Sequence, residues 1–173
     1  MKVLVTVASK HGSTAQIAEV IADVVRSSGH DVVVQEPSSV HELGAFDACV
    51  IGSAVYAGHW MGAAREFVER VADQLVVRPV WLFSSGPVGE PLTPKDEAVD
   101  VDRLARTVDA LDHEVFAGRI DRSRLGFGER ALVRALKVPE GDYRDWEHVR
   151  RWSLGVVTQL DALQASSAAG PGR

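Results

Sequence analysis

The chain has 173 residues, of which 46% are hydrophobic and 25% are charged, and its formal net charge is −5 at pH 7. This length suits one globular domain, and the negative charge argues against a surface that binds nucleic acid non-specifically. The single cysteine, Cys49, excludes an intrachain disulfide and indicates a reducing, cytoplasmic compartment, and the apolar runs are too short for a signal peptide or a membrane span.

Strand-like and helix-like patterns alternate along the chain. The apolar, β-branched run over residues 3–8 predicts a strand that is buried on both faces. Apolar residues at helical spacing from Ile17 to Val25 predict a helix that begins near Ser13 and stops at Ser28-Gly29. The same patterns predict strands over residues 31–36, 47–53, 79–85 and 113–120, and helices over residues 64–75, 101–111 and 145–163.

This alternation predicts an α/β fold. Strands that follow helices in turn require parallel crossover connections, so helices cover both faces of the sheet. Five strands in a chain of this length predict a doubly wound three-layer sandwich with a parallel sheet in the order 2-1-3-4-5. The domain is expected to span residues 1–163, followed by a disordered tail over residues 164–173. Ligands of such sheets bind beyond the carboxyl ends of the strands, where the strand order reverses.

The loop after the first strand has the composition of an anion site. A helix N-terminus has free N–H groups and a partial positive charge, hydroxyls donate to phosphate oxygens, and glycine lets the backbone approach an anion. The loop lacks the motifs that bind a triphosphate or a dinucleotide, so a single phosphate monoester suits it best. The alternative is that Ser13 or Thr14 merely caps the helix. The candidate phosphate-binding residues are Ser9, Lys10, His11, Gly12, Ser13 and Thr14.

Two further loops leave the same end of the predicted sheet. Small residues beside aromatic ones suit a planar ring, which needs close backbone on one side and a stacking surface on the other. In one loop the candidate ring-binding residues are Ala54, Val55, Tyr56, Ala57 and Gly58. The other loop is a candidate because it leaves the same end of the sheet, and it contains Ser84, Ser85, Gly86, Pro87, Val88 and Gly89. The alternatives are that Tyr56 and Trp60 only cover the sheet edge and that the last loop is an ordinary turn.

These motifs resemble those of a known family. The first loop is similar to the flavodoxin phosphate loop, hydroxyl-x-x-Gly-x-Thr. Residues 50–60 with Glu66-Phe67-Val68, and Asp145-Trp146-Glu147 at the start of the last helix, resemble the flavodoxin-like, menaquinone-dependent protoporphyrinogen oxidase family. The resemblance extends to about residue 160 and is strongest before about residue 85.

The resemblance implies a flavodoxin-like fold that binds FMN. The FMN phosphate would lie on the first loop, and the isoalloxazine would lie against residues 54–58 and 84–89. The sequence departs from the family pattern at two places. His11 replaces the usual hydroxyl residue of flavodoxins, and Tyr56-Ala57 replaces the usual basic-aromatic pair.

A basic amphipathic segment, residues 119–144, precedes the last helix. Residues 119–137 hold six basic and two acidic residues, a net charge of +4, in a chain of net charge −5. Such a segment can contact an anionic membrane or a carboxylated redox partner, and the alternative is a solvated helix packed on the domain. The charged residues are Arg119, Arg122, Arg124, Arg130, Arg134 and Lys137, with Asp121 and Glu129.

The preferred interpretation is a cytoplasmic FMN-dependent oxidoreductase for a small-molecule redox substrate, with peripheral contact of residues 119–137 with the inner face of the membrane as an open alternative. The resemblance implies a porphyrinogen donor and a quinone acceptor. A quinone reductase and a flavodoxin-type electron shuttle remain alternatives, as does a cofactor-free interaction module. The ends of strands one and three, Ala8-Ser9 and Gly52-Ser53, lack the carboxylates of a phospho-receiver domain. No histidine pair has metal-ligand spacing, and no catalytic residue is assigned.

Overall fold

The computed structural model describes residues 1–86, 98–126, 128, 130, 134 and 139–168. The main sheet contains five parallel strands: β1 Lys2–Ala8, β2 Asp31–Gln35, β3 Ala48–Tyr56, β5 Val80–Ser85 and β6 Asp112–Phe116. Three two-residue strands accompany them: β4 His59–Trp60, β7 Arg119–Ile120 and β8 Gly141–Asp142. The helices are α1 Ser13–Ser27, α2 Gly62–Arg70, α3 Ala72–Leu75, α4 Val101–Val108 and α5 Trp146–Ala168, with a 3-10 turn at Pro37–Ser39.

The strand order confirms the predicted topology. The sheet runs β2-β1-β3-β5-β6, and β4 pairs antiparallel with the end of β3. When the five parallel strands alone are counted, this is the order 2-1-3-4-5. Val3 lies opposite Val32 on one side and Ala48 on the other, so β1 lies at the centre of the reversal. The loop that follows β1 is therefore at the position where doubly wound folds bind ligands.

Alternation along the strands divides the core into two layers. Val3, Val5 and Val7 of β1 belong to the core under α1 and α5, whereas Leu4 belongs to the core under α2, α3 and α4. Successive strand residues point to opposite faces, so a continuous apolar run is what a sheet covered on both faces requires. The predicted three-layer architecture is confirmed.

The predicted fifth strand, residues 113–120, is wrong in its extent. β6 ends at Phe116, and β7 pairs antiparallel with β8 in a separate two-stranded ribbon. Between them, the Gly118 carbonyl accepts a hydrogen bond of 3.1 Å from the Tyr143 amide, so the chain has left the sheet there. Gly118, in the middle of the predicted strand, marks the position of this break. The predicted helix over residues 64–75 is likewise interrupted at Val71, and that over 101–111 ends where Asp109 adopts a φ of 51°.

The predicted disordered tail begins too early. Helix α5 continues to Ala168, five residues beyond the predicted end, and residues 169–173 of the predicted tail lie outside the described part. The hydroxyls of Ser166 and Ser167 donate to carbonyls four residues earlier, and residues 164–168 contain no glycine or proline that would stop the helix at the predicted end. Although α5 has 23 residues, no helix in the described part is both long and apolar enough to cross a bilayer.

Candidate functional site

The loop between β1 and α1, hereafter the anion loop (residues 9–14), begins the site. Gly12 is the N-cap residue of α1 and has a φ of 82°, in the left-handed region that glycine adopts without strain. The alternative that Ser13 or Thr14 caps the helix is therefore wrong. The first backbone bond of the helix joins the Gln16 amide to the Gly12 carbonyl over 3.1 Å. The amides before Gln16 have no acceptor within the helix.

The Ser13 hydroxyl oxygen is an unsatisfied group within this loop. It is shielded from solvent, and it has no hydrogen-bond partner among the described residues. Buried polar atoms in native proteins are nearly always hydrogen-bonded, so an orphaned hydroxyl indicates an absent ligand or water. Thr14 is buried, Ser9 and His11 are half-buried, and Lys10 is exposed. The donor set suits an anion such as a phosphate monoester.

The second candidate loop is a tight hairpin between β3 and β4. Ala57 and Gly58 have φ values of 49° and 79°, as expected for a two-residue turn that matches the strand twist. Tyr56, with 37% of its surface exposed, is the accessible aromatic residue of the hairpin. The Lys10 ammonium lies 5.7 Å from the Tyr56 ring centroid, and the His11 ring contacts Tyr56 edge-on at 6.4 Å. The structure thus brings the first two loops into contact.

Trp60, in contrast, lies beneath the hairpin. It is 1% exposed, and its indole N–H donates to the Ser84 hydroxyl over 2.7 Å. The Ser84 oxygen lies 2.9 Å from His113 Nε2. Trp60 therefore packs against the sheet, as in the alternative interpretation of this residue, and offers no exposed stacking surface. Ser84 is buried under the hairpin and uses its hydroxyl to hold Trp60.

A buried carboxylate, which the sequence did not indicate, also holds the hairpin. The Asp100 side chain is 8% exposed, and its Oδ1 accepts from the Trp60 amide over 3.2 Å. Its Oδ2 lies 3.5 Å from Arg65 Nε and 3.7 Å from His59 Nδ1. The neighbouring Val99 amide donates to the Gly58 carbonyl over 2.8 Å. These contacts join segments 40 residues apart, and no local pattern announces them.

The third candidate loop begins close to the hairpin. Ser85 is buried, and the Gly86 amide donates to the Phe116 carbonyl over 3.3 Å. A β-carbon at Gly86 would lie 3.0 Å from Val55 Cβ, so a larger residue would require the two loops to move apart by a few tenths of an ångström. The candidates Pro87, Val88 and Gly89 lie outside the described residues.

The anion loop has a basic neighbour that sequence reasoning placed elsewhere. A cavity between the loop and the segment after β7 is lined by His11, Ser13, Gln16, Arg119, Asp121, Arg124 and Leu125. Arg124 Nη1 donates to the His11 carbonyl over 3.1 Å. Asp121 lies 3.0 Å from Arg119 Nη2 and 3.4 Å from Arg124 Nε. The Ser123 hydroxyl, then these two arginines, hold the pKa of Asp121 below its usual range.

Arg144, at the end of the basic segment (residues 119–144), attaches that segment to α1. Its side chain is 3% exposed, and it donates to the Ser13 carbonyl over 3.2 Å and to Gln16 Oε1 over 2.6 Å. Its remaining donors hold both oxygens of Asp142, at 2.7 and 2.5 Å, and these hydrogen bonds lower the pKa of Asp142. Its guanidinium lies 4.4 Å from the Trp146 ring centroid. Sequence reasoning missed Arg144, since 131 residues separate it from Ser13.

Of the basic segment, the described residues settle only part. Arg122, Arg130 and Arg134 are exposed, and Gly128, Arg130 and Arg134 have helical backbone. Lys137, Glu129 and most of the apolar residues of the segment lie outside the described residues. The predicted contact of residues 119–137 with a membrane or a partner therefore stays a prediction.

Comparisons with known proteins agree with this architecture. The model of the flavodoxin domain family matches residues 4–147. Protoporphyrinogen IX dehydrogenase [quinone] of Escherichia coli K12 is 25% identical over 179 aligned positions, which cover 93% of this chain and 97% of that protein. An archaeal flavodoxin structure has a TM-score of 0.65 at 15% identity and covers 93% of this chain and 99% of its own. A flavodoxin of Streptococcus pneumoniae TIGR4 has a TM-score of 0.63 at 20% identity, covering 92% and 99%. The resemblance inferred from the sequence motifs is confirmed.

Proposed function

The chain belongs to the flavodoxin domain family, and we propose that it binds FMN without a covalent bond and acts as a flavoprotein oxidoreductase. The FMN phosphate lies on the anion loop, and the isoalloxazine lies between the hairpin of residues 54–58 and the loop that begins at Ser84. FMN supplies the redox chemistry when bound, and the protein binds it, orients it and tunes its environment.

The anion loop is the observation on which this proposal depends. A phosphate monoester offers acceptor oxygens to the free amides at the start of α1 and to the buried hydroxyl of Ser13. The loop lies after β1, at the reversal of strand order where doubly wound folds bind nucleotides. The alternative of a cofactor-free interaction module leaves the Ser13 hydroxyl unexplained.

The hairpin has features that suit a flat ring. The turn at Ala57-Gly58 presents backbone rather than bulky side chains, and Tyr56 offers an exposed aromatic face. Trp60, Ser84 and the network around Asp100 hold this hairpin from below. Such support keeps a binding surface in one geometry before the ligand arrives, which lowers the entropic cost of binding.

The substrate class follows from the curated relative rather than from the site. The E. coli protein is named for the oxidation of protoporphyrinogen IX with a quinone, and its similarity extends over nearly the whole chain. We therefore assign a porphyrinogen as the electron donor and a quinone as the acceptor. Arg130 and Arg134 would attract the carboxylated donor to the flavin. Alternatively, they would bind anionic lipid and so hold the protein at the inner face of the cytoplasmic membrane.

The first experiment is an absorbance spectrum of the purified protein, followed by identification of the flavin released on heating. Bands typical of oxidised flavin and about one FMN per chain would support the proposal. Turnover with porphyrinogens and menaquinone analogues would then support the substrate assignment. A flavin that is reduced and reoxidised without quinone-linked turnover would favour the electron shuttle. A colourless protein that takes up no added FMN would refute the proposal and favour an interaction module.

The role of the basic segment has a separate test. Reversal of charge in Arg130→Glu with Arg134→Glu should weaken binding to anionic liposomes and raise KM for a carboxylated substrate. The matched control is Arg150→Glu with Arg151→Glu, which makes the same charge change on the exposed side of α5. Equal behaviour of the two double variants would contradict the assignment of the segment.

A further inference from the structure

The anion loop receives an arginine from a distant part of the chain. Arg124, 113 residues after His11, donates from Nη1 to the His11 carbonyl over 3.1 Å. The same nitrogen would lie 3.5 Å from a β-carbon at Gly12. The guanidinium therefore lies against the backbone of the loop, beside the first amides of α1.

The arginine has donors to spare at this position. A guanidinium has five N–H donors, more than the contacts with His11 and Asp121 use. Its side chain is 57% exposed, and it lines the same cavity as Ser13, whose hydroxyl oxygen has no partner among the described residues. A planar guanidinium and a nearby hydroxyl are the groups that proteins use to bind phosphate oxygens.

The charge balance of the cavity also favours a phosphate. Arg119 and Arg124 contribute two positive charges, and the Asp121 carboxylate, which is ionised at neutral pH, contributes one negative charge. One positive charge therefore remains in the cavity, beside a loop that contributes the exposed Lys10 as well as neutral hydroxyls and amides. A phosphate monoester has a charge of about −1.5 to −2 at pH 7, so the cavity and the ligand are complementary.

We propose that Arg124 binds the FMN phosphate and is the residue by which this protein selects FMN over riboflavin. This inference rests on the proposed function, because it places the phosphate on the anion loop. The competing explanation is that Arg124 only supports the loop through the His11 carbonyl. Loss of either role would weaken FMN more than riboflavin, because only FMN uses the anion loop. Loss of a charged phosphate ligand would also reduce the salt dependence of FMN binding, whereas loss of a mere support would leave it unchanged.

The test is a titration of the 173-residue chain with FMN and with riboflavin, in which quenching of flavin fluorescence measures binding. The protein is first freed of flavin and must regain its original spectrum with FMN. Arg124→Gln should raise the Kd for FMN about tenfold, the loss expected for a charge-assisted hydrogen bond that is half-exposed, and leave the Kd for riboflavin unchanged. Arg151→Gln, which removes the same charge from exposed α5, should change neither.

Salt gives a second measurement that needs no variant. Between about 50 and about 500 mM NaCl the Debye length shrinks severalfold, so the wild-type affinity for FMN should fall more than that for riboflavin. In Arg124→Gln this difference should decrease, and an undiminished difference would show that Arg124 only supports the loop. An equal loss of affinity for both flavins in the variant, no loss for either, or an equal salt dependence in the wild type would overturn the inference. A wild-type chain that binds neither flavin would refute the proposed function itself.

Discussion

Gly52 in β3 leaves no room for any larger residue. It lies directly opposite Phe83 in the register of β3 and β5, and a β-carbon there would be 2.0 Å from Phe83 Cζ and 2.2 Å from Cε1. Carbon atoms in contact are separated by about 3.5 Å, so the ring would have to move by more than ~1 Å. Phe83 is fully buried against Phe116 and Trp152, with ring centroids at 5.9 and 6.3 Å. Gly52→Ala therefore requires a rearrangement of the aromatic core.

The expected cost is at the upper end of the range for overpacking. Extra methylene groups in a packed core cost about 1–3 kcal/mol, and the large displacement of Phe83 indicates about 3 kcal/mol for Gly52→Ala. In a chain of this size each kcal/mol lowers Tm by about 2–4 °C, so a decrease of about 6–12 °C is expected. Urea denaturation followed by circular dichroism would measure the free energy of unfolding. The control is Gly155→Ala on the exposed side of α5, where an added β-carbon would meet no atom within 4 Å. This substitution should raise the free energy of unfolding by about 0.5–1 kcal/mol.

A double variant separates this mechanism from a backbone effect. Phe83→Leu removes the ring that the new methyl group meets, so Gly52→Ala should cost less in that background than in the wild type. The coupling between the two substitutions should exceed about 1 kcal/mol, as for residues in direct contact. Additive effects, or a cost for Gly52→Ala below about 0.5 kcal/mol, would refute the reasoning.

Three further results are expected. Burial raises the pKa of the Cys49 thiol to about 12, so iodoacetamide should label it only in denaturant; rapid labelling of the native protein, seen by mass spectrometry, would contradict its position. Asp100→Asn leaves the Arg65 guanidinium without its carboxylate and should cost about 1–2 kcal/mol in the free energy of unfolding, with the half-exposed arginine limiting the loss. The Arg144 hydrogen bonds lower the pKa of Asp142, so their stabilisation is present above the ordinary aspartate pKa of about 3.9 and is lost as pH falls through the lowered value. Asp142→Asn should therefore make stability less sensitive to acid, which urea denaturation at a series of pH values would show; an unchanged pH profile would count against it.

The sheet and the anion loop could be predicted because their determinants are local. The buried strands appear as continuous apolar runs, and α1 appears as a stripe with a clear stop at Ser28-Gly29. The loops that follow parallel strands all lie at the carboxyl edge of the sheet. The anion loop follows β1, so its position at that edge could be predicted. At the helix cap the structure has Gly12, so the alternative of a hydroxyl cap at Ser13 or Thr14 is wrong.

The contacts that complete the site could not be predicted, since they depend on tertiary packing. The sequence showed that Arg124 belongs to a basic segment, but not that its guanidinium lies against the anion loop. Trp60 beside glycine suggested a stacking surface, whereas a buried hydrogen bond to Ser84 fixes it beneath the hairpin. The break between β6 and β7 depends on the pairing of β7 with β8, which is 21 residues further along the chain by the register of Ile120 and Gly141, so no local pattern separates it from a longer strand.

The attachment of the basic segment to the anion loop has a consequence for how the protein is made. The ribosome releases residues 9–14 first, and Arg124 follows 113 residues after His11. At a translation rate of about 5–20 residues per second, Arg124 is made about 6–23 s after the loop, and Arg144 still later. Helix α5, which covers the same side of β1, is made after both arginines. The contacts that complete the anion loop therefore form only after residues up to Arg144 have been made, so the proposed phosphate site is finished late in synthesis.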